Sequence, residues 1–458
     1  MARTPEEWLP VLAKRLDAEY PRIARLRRYA TGDSDLPEMG KNLKASWQAF
    51  QKKARTDFGG LAVSALGNRI RYNGIAIGGD QKHPALPVAR RIARDNRLAS
   101  QFKMAVKDYL TTSYGYLFVS SNGGEAIITR EEPEMFYAAT DAVRPWKAIA
   151  TLKVWRDDEA GKDYAKVVVP GVAAVFTRPS KNVNGVKVFG AYSEDWERES
   201  EQEYDGDVPC VVLRRDDRMG LFEPHMDVID RINLGKLQRL VTTALQAFRQ
   251  RALKSNPNSD GVPDKDADGN DIDYRAMFEP APGAMWELPE GLDIWESQQT
   301  DIRPMLEAEK ADARDFAAVS RTPVSVFTPE SANQSAEGAA AAKEQHVALA
   351  EDEIDNIKPA LAVLMVYALR VQGIELGEDE TLDVLFVPAD RVSLTEKYDA
   401  ASKAKAAGES WDSIARNILG YSPEQIWQDA LARAEEQLML AALMQGAPNG
   451  GTNPGAQA

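Results

Sequence analysis

Ser320-Arg321-Thr322-Pro323-Val324-Ser325-Val326-Phe327-Thr328-Pro329-Glu330-Ser331-Ala332-Asn333-Gln334-Ser335 runs directly into an alanine-rich helical pattern from Ala336 to Val371. Ser331 with Gln334 fits a capping box, and Ser335 offers a second N-cap. Only Gly338 and Pro359 interrupt the long pattern. An interior proline removes one backbone hydrogen bond, so a kink is expected at Pro359. A long helix entered through a polar loop and bent midway is unusual in a compact enzyme.

Working upstream, a helical pattern at Ile302 to Val319 leads into this loop. Before it, His225 to Lys254 contains no proline and only Gly235, with Ile229, Ile232, Leu237, Leu240, Val241, Ala244, Leu245, Phe248 and Ala252 at three- and four-residue steps. Thirty such residues predict roughly 45 Å of helix. Asp227 and Asp230 in the first turns and Arg249, Arg251 and Lys254 in the last suit its macrodipole. Between the two helices, residues 255–300 break into Pro, Gly, Asp and Asn, with β-like pieces at Met285 to Leu288 and Leu292 to Trp295. The excursion is longer than an ordinary connection and predicts a small subdomain or functional loop.

The N-terminal half predicts an α+β unit. Residues 5–30 place Trp8, Leu9, Leu12, Leu16, Tyr20, Ile23 and Leu26 on one helical face, leaving Arg15, Arg22, Arg25, Arg27 and Arg28 as a solvated face. Helices follow at Trp47 to Leu66 and Pro87 to Tyr114. From Leu117 the period shortens, and strands are expected at 117–119, 126–128, 149–155, 166–169, 173–176, 187–189 and 208–213. The acid-dense run Glu194 to Asp207 reads as a solvated turn. Downstream of Val371 come a strand at Leu382 to Val387, helices at 394–407, 411–419 and 423–444, and an uncharged tail, 446–458, with a disordered composition.

The whole chain has 458 residues, 44% hydrophobic and 28% charged, with a net charge of −14. Such a length suggests two to four folding units at roughly 100–200 residues each. The acidity argues against a protein that grips nucleic acid, which needs clustered Lys and Arg. A single cysteine, Cys210, excludes an internal disulfide and reads as an inert thiol in a strand. The N-terminus lacks a secretory pattern, and the longest apolar run, Ala360 to Leu369, is too short to span a bilayer, so the expectation is a soluble intracellular chain without membrane contact. His83, His225 and His346 have no neighbours at metal-ligand spacing, and no phosphate-binding, dinucleotide-binding or hydrolase signature occurs. No catalytic residue and no cofactor is expected.

The best local candidate for chemistry is the loop containing Asp264, Asp266 and Asp268, which begins like a calcium loop with Gly269 at its sixth place. Its twelfth place is Arg275 rather than a bidentate Glu, and prolines flank it, so an acidic solvated loop is the simpler reading. A calcium-binding hydrolase is one alternative. A non-ring scaffold or adaptor protein is another.

The order of elements resembles the portal protein of tailed bacteriophages, particularly the long-tailed phage family. Val208-Pro209-Cys210-Val211-Val212-Leu213, then Gly220 and Ile229 to Asn233, resembles the approach to that family's stem helix. Thr322-Pro323-Val324 with Gln334-Ser335-Ala336-Glu337-Gly338 resembles the stretch before its tunnel helix. Val387-Pro388-Ala389-Asp390 with Ser393, Glu396 and Lys397 is similar to its following strand and helix. Pro323 and Gly338 depart from the pattern, standing where a Gly and a helix-favouring residue are usual.

The resemblance implies an α+β, mainly α portal fold with long stem and kinked tunnel helices, a β-containing wing and a small α/β clip. The wing would be 1–224, the stem helices 225–254 and 301–323, the clip 255–300, the tunnel loop and helix 324–372, and the wing return with crown-like helices 373–445. Tunnel-loop residues Thr328, Glu330, Ser331, Asn333, Gln334 and Ser335 would line a DNA channel, and Asp264, Asp266, Asp268, Trp286 and Trp295 would serve the clip. Implied partners are copies of the chain in a ring of twelve, the terminase large subunit, a head–tail adaptor, the major capsid and scaffolding proteins, and passing double-stranded DNA. The location implied is a virion vertex, after assembly in the host cytoplasm.

Overall fold

A computed structural model describes residues 3–36, 45–78, 83–180, 190–247, 251–255, 265, 268–271, 273, 292–296, 300–328, 336–377, 379–390 and 392–445. Helix α1 (Pro5–Ala30) begins with a capping box: Glu7 N donates to Thr4 Oγ1 at 3.4 Å, and Thr4 N donates to Glu7 Oε2 at 3.1 Å. Leu9, Leu12, Ala13, Leu16, Ile23 and Leu26 bury one face. Tyr20, expected on that face, is exposed.

The helix lies over a five-stranded antiparallel sheet ordered β4 (Phe136–Thr140), β5 (Ala148–Asp157), β6 (Lys162–Val169), β7 (Val172–Pro179) and β8 (Glu197–Glu203). Its apolar face and the sheet share one core cluster, from Leu9, Leu12 and Leu16 to Leu152, Val154, Val167 and Phe176. A smaller sheet is ordered β3 (Glu125–Glu131), β2 (Tyr114–Asn122), β9 (Cys210–Arg214). Cys210 is buried there, as its apolar neighbours predict, and burial pushes its thiol pKa well up.

The long N-terminal helices expected from the sequence are each split. Helices α2 (Ala45–Ala54) and α3 (Phe58–Gly67) are separated at Asp57, which caps α3 by accepting from Gly60 N at 3.2 Å. Helices α4 (Leu86–Asp95) and α5 (Leu98–Thr112) are separated at Arg97, whose φ is +49°. The chain passes close to α5 twice, and glycine permits both approaches. A Cβ at Gly115 would lie 2.4 Å from the Ala105 carbonyl oxygen, and one at Gly220 would lie 2.1 Å from that of Thr111.

Strand β1 (Tyr72–Ile77), not expected from the sequence, pairs antiparallel with β12 (Leu382–Phe386). Strand β4 was also unexpected. The acid-rich β8 replaces the solvated turn: its seven residues are exposed, so no apolar alternation marks it, yet its backbone pairs with β7. The expected strand at 187–189 lies outside the described residues.

Helix α6 (Met226–Ala247) is shorter than the predicted 225–254. Arg251–Ser255 instead forms β10, paired antiparallel with β11 (Leu292–Glu296). Pairing with a distant strand overrides helical spacing, so Arg251 and Lys254 do not serve a helix C-terminus. Helices α7 (Arg303–Val319) and α8 (Ala336–Val371) follow, then α9 (Leu394–Ala406), α10 (Trp411–Ile414) continued by a π turn at 415–419, and α11 (Pro423–Gln445).

Two compact units result. One comprises residues 1–34, 57–229 and 315–458, and the other 35–56 and 230–314. In this division Ala336–Val371 belongs with the N-terminal sheets, and residues 35–56 belong with the segment after Ile229. No helix among the described residues is long and apolar enough to cross a membrane.

Candidate functional site

The polar loop departs from a tightly built base. After α7 the chain turns through Arg321, whose φ is +49°, with Thr322 N donating to Ala317 O at 2.9 Å. Ser320 and Thr322 are buried, their hydroxyls donating to the carbonyls of Ala317 at 3.4 Å and Ser320 at 3.2 Å. His346 Nδ1, from α8, lies 3.0 Å from the Arg321 carbonyl oxygen, a contact that requires the proton on Nδ1. Burial pushes its pKa down, so the ring is held neutral as a structural donor.

A short 3₁₀ turn at Val324–Val326 then delivers Phe327 into an aromatic cluster. Its ring centroid lies 4.9 Å from that of Phe58 and 5.3 Å from that of Phe316. Thr328 Oγ1 donates to Val324 O at 3.2 Å, so this hydroxyl completes the turn. Glu330, Ser331, Asn333, Gln334 and Ser335 lie outside the described residues.

Beyond the loop, α8 is buried along Leu349, Ala350, Glu353, Ile357, Leu361, Leu364 and Leu369. Glu353 accepts a short hydrogen bond from the Tyr109 hydroxyl, which also accepts from Asn356 Nδ2 at 3.2 Å. Arg215 Nη1 sits 2.7 Å from Glu353 Oε1. Burial raises the Glu353 pKa despite the opposing Arg215 charge. The helix continues through Pro359, whose ring is exposed. Lys343 on α8 pairs with Asp390 at 2.7 Å. Ser393 and Glu396 form the capping box of α9, while Lys397 Nζ donates to Leu419 O at 3.2 Å.

At the other end of α6, β10 and β11 close the base of the excursion, with Trp295 opposite Ala252 in the register. Asp268 is exposed in a turn closed by a Lys265–Asp271 bridge, with Gly269 at φ +83°. Asp264, Asp266 and Trp286 lie outside the described residues. Among the described residues no cluster of His, Cys, Asp or Glu is suited to hold a metal ion.

With that geometry in place, comparison with known proteins decides the family. Residues 11–420 match the family described as phage portal protein, SPP1 Gp6-like. The chain belongs to this portal family. Three solved structures are similar at low identity. The virion of a native gene transfer agent particle has 16% identity, covers 87% of this chain and 93% of its own, and gives a TM-score of 0.46. The neck of the native particle, computed with C12 symmetry, has 14% identity, covers 87% and 99%, and gives 0.44. The neck of the empty particle, computed with C6 symmetry, has 15% identity, covers 87% and 93%, and gives 0.47. No curated protein matches.

In this portal protein, helical spacing alone misassigns two arginines of α1. Arg22 and Arg27 of α1 are not a solvated face. Arg22 donates from Nε and Nη2 to Glu223 at 2.7 and 2.6 Å, and to the carbonyls of Thr112 and Arg218. Arg27 donates to Glu134 at 2.5 Å and to the buried Asp108 at 2.5 Å, and Asp108 accepts twice from Arg130. Asp108 therefore ties α1, α5 and β3 together. One clue to it existed in the sequence: a carboxylate between Val106 and Tyr109 on an apolar helix.

Proposed function

We propose that this portal protein assembles into a closed ring, twelve copies at one capsid vertex, and forms the channel through which double-stranded DNA is packaged and later leaves. The terminase large subunit and then a head–tail adaptor would dock on the clip closed by β10 and β11. Major capsid and scaffolding proteins would meet the wing. The carrying observation is the family match across residues 11–420. The packed turn before residue 329 supports it: Phe327 packs near Phe58, Thr328 closes the turn onto Val324, and His346 of α8 meets the Arg321 carbonyl. The exposed apolar side chains of α11 also support assembly. Trp427, Leu438 and Met439 are 55%, 71% and 71% exposed, more than a monomer ordinarily leaves to water on one helix.

Glu330, Ser331, Asn333 and Gln334 would face the DNA in such a ring, and an acidic lumen avoids the electrostatic trap that phosphate-binding cations create. Electron microscopy of the purified chain tests the assembly: rings are expected, and a monomer under every condition would contradict the proposal. Deleting residues 330–334 should leave rings intact and reduce DNA packaging or retention in phage particles. Normal packaging and retention would remove the loop's role.

A further inference from the structure

The five-stranded sheet has edges of opposite charge. At the β4 edge, an open cleft of about 350 Å³ is lined by Arg15, Arg22, Arg214 and Arg218, with Glu19, Tyr114, Tyr137 and Thr140. Glu223 and Glu19 already neutralise Arg22. Arg15, Arg214 and Arg218 carry no ion pair among the described residues. A surplus of guanidinium groups in one cleft is notable in a chain of net charge −14.

At the opposite edge lies β8, the sequence Glu-Arg-Glu-Ser-Glu-Gln-Glu from 197 to 203, exposed throughout. Arg198 is occupied by Glu6 at 2.9 Å and Glu201 at 2.6 Å. Glu197, Glu199 and Glu203 carry no ion pair among the described residues. In the sheet order among described residues, β8 has no partner on its outer side. An unpaired edge is a docking template that carboxylates guard against indiscriminate pairing. Four strand spacings of about 4.8 Å separate the two edges by roughly 19 Å. Both edges belong to one packed sheet, so their relative placement is fixed.

We infer that the acidic β8 edge of one copy of this chain docks into the arginine cleft of the next, joining neighbouring subunits head to tail. Three guanidinium groups that carry no ion pair, one of them hydrogen-bonded to Tyr137, meet three carboxylates that carry none. Because the two patches differ and lie on opposite edges, the contact is heterologous, the class that generates rings when the rotation closes. The carboxylates also suppress pairing of β8 with another β8, since like charges repel. This inference rests on the ring proposed above and supplies the contact that orients adjacent wings.

A charge-swap mixture tests it. One variant carries Arg15→Glu and Arg218→Glu, and the other carries Glu199→Lys and Glu203→Lys. All four positions are exposed, and unfolding midpoints near that of the unmodified chain would establish that each variant folds. Alone, each variant presents like charges at both edges, and the concentration needed for half-assembly should rise about tenfold or more. In an equimolar mixture every contact between unlike variants regains opposite charges, so alternating rings should return. Rings from either variant at the unmodified concentration would overturn the inference while leaving the ring itself intact. So would losses that mixing does not restore, or loss of duplex-DNA binding by the arginine variant with normal rings. Failure of the unmodified chain to form any ring would instead remove the reading on which the inference rests.

Discussion

The two compact units house their ion pairs in opposite ways. In the first, Asp108 has 1% of its side chain exposed and is clamped between Arg27 and Arg130. Asp163, equally buried, is held by Arg156 and Arg178. Large apolar clusters surround the sheets. In the second, Arg239 pairs with Glu309 and Arg231 with Asp312, with the two arginines 28% and 52% exposed. Its described buried side chains are few: Ala54, Thr56, Ile232, Asn233, Leu237 and Ala313. Thr56 N and Oγ1 both donate to Asn233 Oδ1, at 3.0 and 2.9 Å. The first unit carries its own core. The second leaves the described faces of its helices partly wet.

Replacing Asp108 tests this contrast most severely. Asp108→Ala leaves two partly buried guanidinium groups without their shared carboxylate and should cost about 3–5 kcal/mol. Chemical unfolding followed by tryptophan fluorescence would read it, and a cost under about 1 kcal/mol would break the distinction between the units.

Asp163 gives a pH-dependent version. Burial by itself raises its pKa, but hydrogen bonds from Arg156 and Ser180 and the charges of Arg156 and Arg178 outweigh burial and hold it below the ordinary value. A lowered folded-state pKa means the unfolded chain takes the proton more readily. The contribution is therefore present above about pH 4 and lost as pH falls through the folded-state value. Asp163→Asn should cost about 2 kcal/mol at neutral pH and flatten the acid limb of stability below about pH 4. An unchanged acid limb would assign that limb to other carboxylates.

Arg239→Ala should have the smallest effect, no more than about 1 kcal/mol in the isolated chain, because its pair with Glu309 is partly solvated. Unfolding of the unassembled protein measures this. A loss above about 3 kcal/mol would show that the second unit relies on its own ion pairs as the first does.

Much of the fold was legible because long apolar periods survive tertiary context. The α1 pattern, the α6 start, the α8 run from Ala336 to Val371 and the strand at Leu382 were all readable from spacing. The site was less so. Thr322-Pro323-Val324 marked the loop base, but nothing in spacing said that Phe327 would pack on Phe58, more than 260 residues away. Arg22 and Arg27 looked like solvent-facing charges because their partners, Glu223 and Asp108, stand 201 and 81 residues away.

By itself, the sequence determined the mixed α and β composition and the helical run from Ala336, since composition and period are local properties, while the portal family was legible as a resemblance in its motifs and element order. Tertiary structure alone decided that Glu197–Glu203 is a strand, that Arg251–Ser255 leaves the helix, and which arginines are neutralised. Edge strands take their order from a neighbour's backbone, and ion pairs form between groups brought together only by folding. Neither leaves a periodic signal in the chain that makes it.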